Sequence, residues 1–145
     1  MSTVRDMIRK KGSEVYSILP SATVYEALVI MAKYNTGAVL VATGNKVDGI
    51  LSERDCVRRV ELEGRSVKNT KVSEIMTTKV IFVEASQPLE ECMALMINKN
   101  IRHLPVMDEG ILIGMISIGD VVKQSLSEKE KVIKDLEDYI WIHMI

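Results

Sequence analysis

The sequence predicts an α/β (α+β) protein built from two tandem copies of one β-α-β-β-α unit. Three observations carry that prediction. A shift of 65 residues lays NTGAVLV (Asn35–Val41) on NIRHLPV (Asn100–Val106) without a gap. The same shift lays GILSERDCVRR (Gly49–Arg59) on GMISIGDVVKQ (Gly114–Gln124), VYSI (Val15–Ile18) on VIFV (Val80–Val83), and Met31 on Met96. Within each copy, β-branched runs of strand length alternate with apolar residues at helical spacing. The copies span Val15–Val60 and Val80–Leu126.

The elements follow in order. Thr3–Arg9 predicts a short lead-in helix, and Val72–Met76 its counterpart before the second copy. Val15–Ile18 and Val80–Val83 predict short strands. In the next helix of copy one, Val24, Leu28, Met31 and Ala32 share a face. In copy two, Ser86 is the expected N-cap, Pro88 an early helical residue, and Leu89, Cys92, Met93 and Met96 the stripe. Two strands follow, Ala38–Val41 and Val47–Leu51 about Gly44-Asn45, matched by His103–Met107 and Ile111–Ile116 about Asp108–Gly110. A second helix starts at Ser52 in one copy and at Ser117 in the other. Glu63–Lys71 is polar and reads as an exposed linker. SEKE from Ser127 fits a capping box, with Val132, Ile133, Leu136, Tyr139 and Ile140 continuing a last helix to the apolar end IWIHMI. The expected division is 1–64, 65–126 and a terminal helix 127–145. One such unit is marginal alone, so the copies are expected to pack sheet to sheet with pseudo-twofold symmetry. The apolar end is expected to pack on the body or across a homodimer contact.

Bulk properties exclude several function classes. With 19 basic and 20 acidic residues the net charge is -1, which offers no general attraction to nucleic acid or to a membrane. No apolar run reaches membrane-spanning length, and Met1–Lys10 carries Asp6 and no apolar core, so a cytoplasmic protein is expected. Cys56 and Cys92 sit in apolar periodic segments and read as reduced, buried side chains. Two histidines and two dispersed cysteines provide no metal-ligand spacing. His103 has no partner spacing that forms a triad, and the chain lacks G-x-x-x-x-G-K-S/T and G-x-G-x-x-G, so no catalytic residue is assigned.

Gly-apolar-apolar-Ser-x-x-Asp occurs twice, as Gly49, Ser52, Asp55 and as Gly114, Ser117, Asp120. Two readings stand side by side. On the first, serine is a helix N-cap and aspartate sits in the acid-favouring first turn. On the second, the free N–H groups of the helix start and the serine hydroxyl hold a phosphate, while the aspartate accepts from two ribose hydroxyls.

NTGAVLV, GILSERDCVRR, NIRHLPV and GMISIGDVVK together resemble the cystathionine-β-synthase-type (CBS) domain family. The likeness is to a stand-alone tandem pair, or Bateman module, among small bacterial and plant-organelle proteins, and covers nearly the whole chain. It implies nucleotide clefts in which the aspartate of one copy works with the strand edge of the other. One cleft would use Ser117 and Asp120 with Thr36, Gly37, Ala38, Val15, Tyr16 and Ser17. The other would use Ser52 and Asp55 with Arg102, His103, Leu104, Val80 and Ile81. On this pairing Arg102 and His103 make the Asp55 cleft the more basic, while Gly37 and Ala38 leave the Asp120 cleft more open. Arg54, matched only by Gly119, is a phosphate candidate for either cleft, and Arg58 a third basic candidate; each is equally a solvated helix side chain.

The resemblance thus implies a regulatory module binding AMP, ADP, ATP or NAD, with S-adenosylmethionine a weaker candidate. Its output would pass to a separate regulated protein or through oligomer state. The alternative is an interaction or assembly module without ligand.

Overall fold

A computed structural model describes residues 2–144. The chain forms two compact units, Glu14–Ile81 and the segment up to Ser13 together with the chain from Phe82 onward. The elements are α1 (Val4–Lys11), β1 (Ser17–Ile18), α2 (Val24–Tyr34), β2 (Ala38–Thr43), β3 (Lys46–Ser52) and α3 (Glu53–Cys56), which runs on as a π-helical turn over Val57–Glu61. After α4 (Val72–Ile75) come β4 (Val83–Glu84), α5 (Leu89–Lys99), β5 (His103–Asp108), β6 (Ile111–Ser117) and α6 (Ile118–Met144). Each unit holds one three-stranded sheet, β1-β2-β3 and β4-β5-β6. The first pair in each is parallel and the second antiparallel.

The repeat is as deep as the register. Ile18 pairs with Val41 and Val83 with Val106, and both antiparallel ladders slip at one matched position, Val41/Ala42 and Val106/Met107. The asparagine that opens NTGAVLV and NIRHLPV also has a local cause. Asn35 and Asn100 end α2 and α5 in the left-handed conformation, at φ 51° and 54°, which asparagine tolerates better than most residues.

Several sequence expectations are corrected. The first strand of each copy shrinks, so Val15 and Tyr16 precede β1, and Val80 and Ile81 precede β4. The helix of copy two starts after Pro88, and Ser86 lies in the turn before it without capping it. Ser127 starts no new helix. Nothing between Ile118 and Ser127 breaks helical geometry beyond the exposed Gly119 in the first turn, so α6 runs unbroken. The linker is not wholly exposed: Thr70 is buried, donates from Oγ1 to the Ser66 carbonyl, and accepts from the Val24 N–H through its own carbonyl.

The lead-in segments complete the units in a crossed order. The Val72 N–H donates to Ala22 O and the Val24 N–H to Thr70 O, which ties α4 to the first unit. The equivalent bonds in the second unit, Val4 N–H to Gln87 O and Leu89 N–H to Ser2 O, come from the start of the chain. Arg5 adds an ion pair to Asp108 at 2.9 Å, and Ser2 bonds Glu128. α1 buries Val4, Met7 and Ile8 there, worth about 1.5–3 kcal/mol for each fully buried side chain before entropy is charged against it. In the first unit Val24, Ala27, Met31, Val39, Val41, Leu51, Cys56, Val60, Val72 and Ile75 form the core.

Both motif glycines lie where these segments cross the sheet. A Cβ on Gly49 would stand 2.7 Å from the Thr77 carbonyl oxygen and 2.9 Å from Met76 Sδ. Ile50 and Thr77 exchange backbone hydrogen bonds across that contact, at 3.0 and 2.9 Å. A Cβ on Gly114 would meet Ile8 Cδ1 at 2.7 Å, the free end of a side chain that can rotate away. Overpacking against backbone costs more than overpacking against a mobile methyl. Gly49→Ala is therefore expected to lower unfolding free energy by about 2 kcal/mol and Gly114→Ala by less than about 1 kcal/mol, measured by urea denaturation. Equal losses at the two glycines would refute this account.

Candidate functional site

Each antiparallel hairpin ends by delivering a serine to the first turn of a helix. In the first unit Ser52 caps α3. The Asp55 N–H donates to Ser52 Oγ at 3.1 Å, and the Ser52 N–H and hydroxyl both donate to Asp55 Oδ2 at 3.0 Å. In the second unit the Asp120 N–H donates to Ser117 Oγ at 3.1 Å, and the Ser117 N–H to Asp120 Oδ2 at 2.9 Å. The capping reading of Ser-x-x-Asp is therefore realised in both copies. Capping engages one carboxylate oxygen. Among the described residues, Oδ1 of Asp55 and of Asp120 accepts no hydrogen bond.

Register places the strand-start residues of the same copy beside each cap. Ala38 pairs with Ser52, and the Glu53 N–H donates to Gly37 O at 3.0 Å. His103 pairs with Ser117, and the Ile118 N–H donates to Arg102 O at 2.9 Å. Gly37 and Ala38 thus neighbour Ser52 and Asp55, while Arg102 and His103 neighbour Ser117 and Asp120. Thr36 donates from Oγ1 to Ala38 O at 3.2 Å. Ala38 and Leu104 are buried, so their side chains serve the interior. Ser17 is exposed and pairs with Leu40, whose N–H donates to Tyr16 O at 3.0 Å. The Tyr16 ring is already stacked on Tyr34, centroids 4.1 Å apart, and its hydroxyl donates to Glu14. Val80 and Ile81 are half-buried. Arg54 is half-buried, Arg58 exposed, and neither makes an ion pair among the described residues.

Electrostatics separate the copies. Lys11, from the last turn of α1, donates to Asp120 Oδ2 at 2.6 Å and to the Met115 carbonyl at 2.7 Å. Burial alone would raise the Asp120 carboxyl, but the bonds from Lys11 and Ser117 outweigh it and hold the group below the usual range. His103 moves the other way from a protonated state. Burial lowers its pKa, the Lys11 charge lowers it further, Asp120 opposes this, and Arg102 adds to the lowering. Asp55 has no ion-pair partner among the described residues. Burial pushes the Cys56 and Cys92 thiols up to about 11, which keeps them protonated and unreactive near neutrality. Among the described residues no cluster of three or more histidine, cysteine, aspartate or glutamate side chains could hold a metal ion.

Lys11 is the residue that sequence reasoning missed. Its only signal is three consecutive basic residues, Arg9, Lys10 and Lys11, ending a helix, which is also ordinary compensation of the helix dipole.

The CBS domain pattern matches residues 4–62 and 72–127. The chain belongs to the CBS-domain family. It is a tandem pair of CBS repeats, each with β-α-β-β-α topology. The mitochondrial CBS domain-containing protein CBSX3 of Arabidopsis thaliana is 36% identical over 96% of this chain and 72% of its own length. A solved CBS-domain protein from Burkholderia ambifaria MC40-6 is 46% identical, covers 87% of this chain and 95% of its own, and superposes with a TM-score of 0.84. The CBS domain pair of protein MJ0100, solved in complex with 5′-methylthioadenosine and S-adenosyl-L-methionine, shares the fold at a TM-score of 0.77. It is 20% identical over 88% of this chain and 98% of its own, a likeness that speaks to fold alone.

The His103 environment yields a pH dependence for this CBS pair. A histidine whose folded pKa is lowered stays neutral in the fold while the unfolded chain takes up a proton near its ordinary value. Its contribution is thus present above about pH 6.5 and lost as pH falls through that value toward the folded pKa. Unfolding free energy should fall between about pH 7 and 5, and His103→Gln should flatten that limb. An unchanged slope in the variant, read by urea denaturation at each pH, would count against it.

Proposed function

We propose that this CBS pair is a non-catalytic regulatory module that binds an adenine nucleotide (AMP, ADP, ATP or NAD) at its two Ser-x-x-Asp turns. One observation carries the reading. In each copy the cap engages one carboxylate oxygen and leaves Oδ1 open beside the start of a strand and the first turn of a helix. An open carboxylate oxygen accepts from a ribose hydroxyl, and helix-start N–H groups with a serine hydroxyl suit a phosphate. That a CBS pair of the same fold takes two adenosine derivatives supports the choice of base. On this reading the strand starts Thr36–Ala38 and Arg102–Leu104, with Val15–Ser17, Val80 and Ile81, supply the remaining nucleotide contacts. Arg54 serves phosphate at either turn.

Titration calorimetry with AMP, ATP and NAD tests this. At least one binds below millimolar concentration, and Asp55→Asn and Asp120→Asn each weaken binding at their own turn about tenfold while the circular dichroism spectrum stays unchanged. Absence of binding by all three sinks the nucleotide reading.

A second reading, an interaction or assembly module, draws on α6. Every described side chain from Lys129 to Ile142 is exposed, and Ile133, Leu136 and Ile140 follow the 3–4 spacing of a helix-pairing seam. Both readings share a homodimer, through which ligand state would be transmitted as a shift between association states. Sedimentation velocity should show a dimer that Leu136→Asp converts to monomer; a monomer at all accessible concentrations would remove the dimer from both.

A further inference from the structure

The two Ser-x-x-Asp turns are alike in sequence and in capping but not in charge. Asp55 has no ion-pair partner among the described residues. Asp120 faces the Lys11 ammonium at 2.6 Å, with Arg102 exposed on the adjoining strand start and His103 paired to Ser117. Lys11 cannot be dismissed as a loose surface lysine. It is held at both ends of its reach, by Asp120 Oδ2 and by the Met115 carbonyl, and its helix is fastened to the same unit through Val4, Met7 and Ile8. An ammonium has three donors, and these two bonds leave the third free. The side chains of Lys11 and Asp120 remain 38% and 27% exposed, so both face incoming solute.

An uncompensated carboxylate that receives the ribose hydroxyls stands across the sugar from the 5′-phosphate of the same nucleotide, and the like charges repel. A cation on that carboxylate cancels the repulsion and supplies a donor for a phosphate oxygen. We propose that Lys11 is an anion-binding residue of the Asp120 turn, and that it makes this turn selective for a phosphorylated nucleoside over the free nucleoside. The proposal rests on the reading that Asp120 receives a ribose, and it names the residue that sets the ligand's charge there. It also divides the labour between turns. The Asp120 turn takes nucleotide, while the Asp55 carboxylate, which has no ion-pair partner among the described residues, leaves its turn less able to discriminate between nucleotide and nucleoside.

The test is titration calorimetry of the full chain carrying Asp55→Asn, which weakens the other turn so that the tighter binding phase reports the Asp120 turn. AMP and adenosine are the probes, and Lys11→Met and Lys11→Arg the variants. Lys11→Met should raise the AMP Kd about tenfold more than the adenosine Kd, and Lys11→Arg should restore the preference. A parallel shift of both ligands, or no shift, would show that Lys11 only anchors α1 and would overturn the proposal while leaving nucleotide binding intact. Failure of the Lys11-bearing protein to bind either ligand would overturn the proposal, and absence of AMP, ATP and NAD binding by the unsubstituted chain would overturn the nucleotide reading as well. Should Lys11→Met not fold, Lys11→Gln, which keeps a side-chain donor without the charge, is read by the same ratio.

Discussion

Two glycines set the distance at which a lead-in segment crosses each sheet, and much of the structure depends on that approach. At Gly49 a neighbouring backbone carbonyl stands where a Cβ would be, close enough for Ile50 and Thr77 to exchange hydrogen bonds. At Gly114 the space is filled by Ile8, which seats α1 on the second unit. Three residues on from Ile8, the same helix presents Lys11 to Asp120. Close approach at a strand glycine, burial of a helix face and placement of a charge at the cap are thus successive consequences of one packing decision.

The repeated motif serves two demands that do not compete. Serine and aspartate satisfy the donors of a helix start, a local requirement met by the same two backbone bonds in both copies. Because the cap engages one carboxylate oxygen, the same aspartate can hold the helix and still offer an acceptor. What differs between copies is supplied from outside the motif. Gly37 and Ala38 line one cap, Arg102 and His103 the other, and among the described residues only the second has a lysine brought to it by a distant helix.

The order in which the chain completes its units constrains any motion. α4 follows the first repeat and packs on it, while α1 precedes the first repeat and packs with the second. A change at Asp120 that releases Lys11 therefore acts directly on the attachment of the chain's first helix, whereas Asp55 has no comparable tether among the described residues. α6 carries both the Asp120 cap at its start and an exposed apolar stripe further along, in one unbroken helix.

Strand and helix order and the two caps were legible in the sequence because each depends on spacing among neighbouring residues, and the repeat and the family because the same local motifs recur at one fixed offset of 65 residues. The exceptions at this scale are instructive. Ser86 and Ser127 carry cap chemistry, yet the backbone had other partners: the Leu89 N–H that opens the helix after Pro88 donates to the Ser2 carbonyl, and α6 continues through Ser127 as uninterrupted helix. The role of the motif glycines was hidden because their neighbours, Thr77 and Ile8, are remote along the chain. Lys11 was hidden for the same reason, since it lies 109 positions from Asp120 and resembles any basic residue at a helix end. By itself, then, the sequence determined the two-copy architecture and the capping chemistry, which arise from local periodicity and hydrogen-bonding need. Only tertiary structure decided which repeat each lead-in helix completes and which aspartate receives a cation, because packing brings together residues that no local pattern connects.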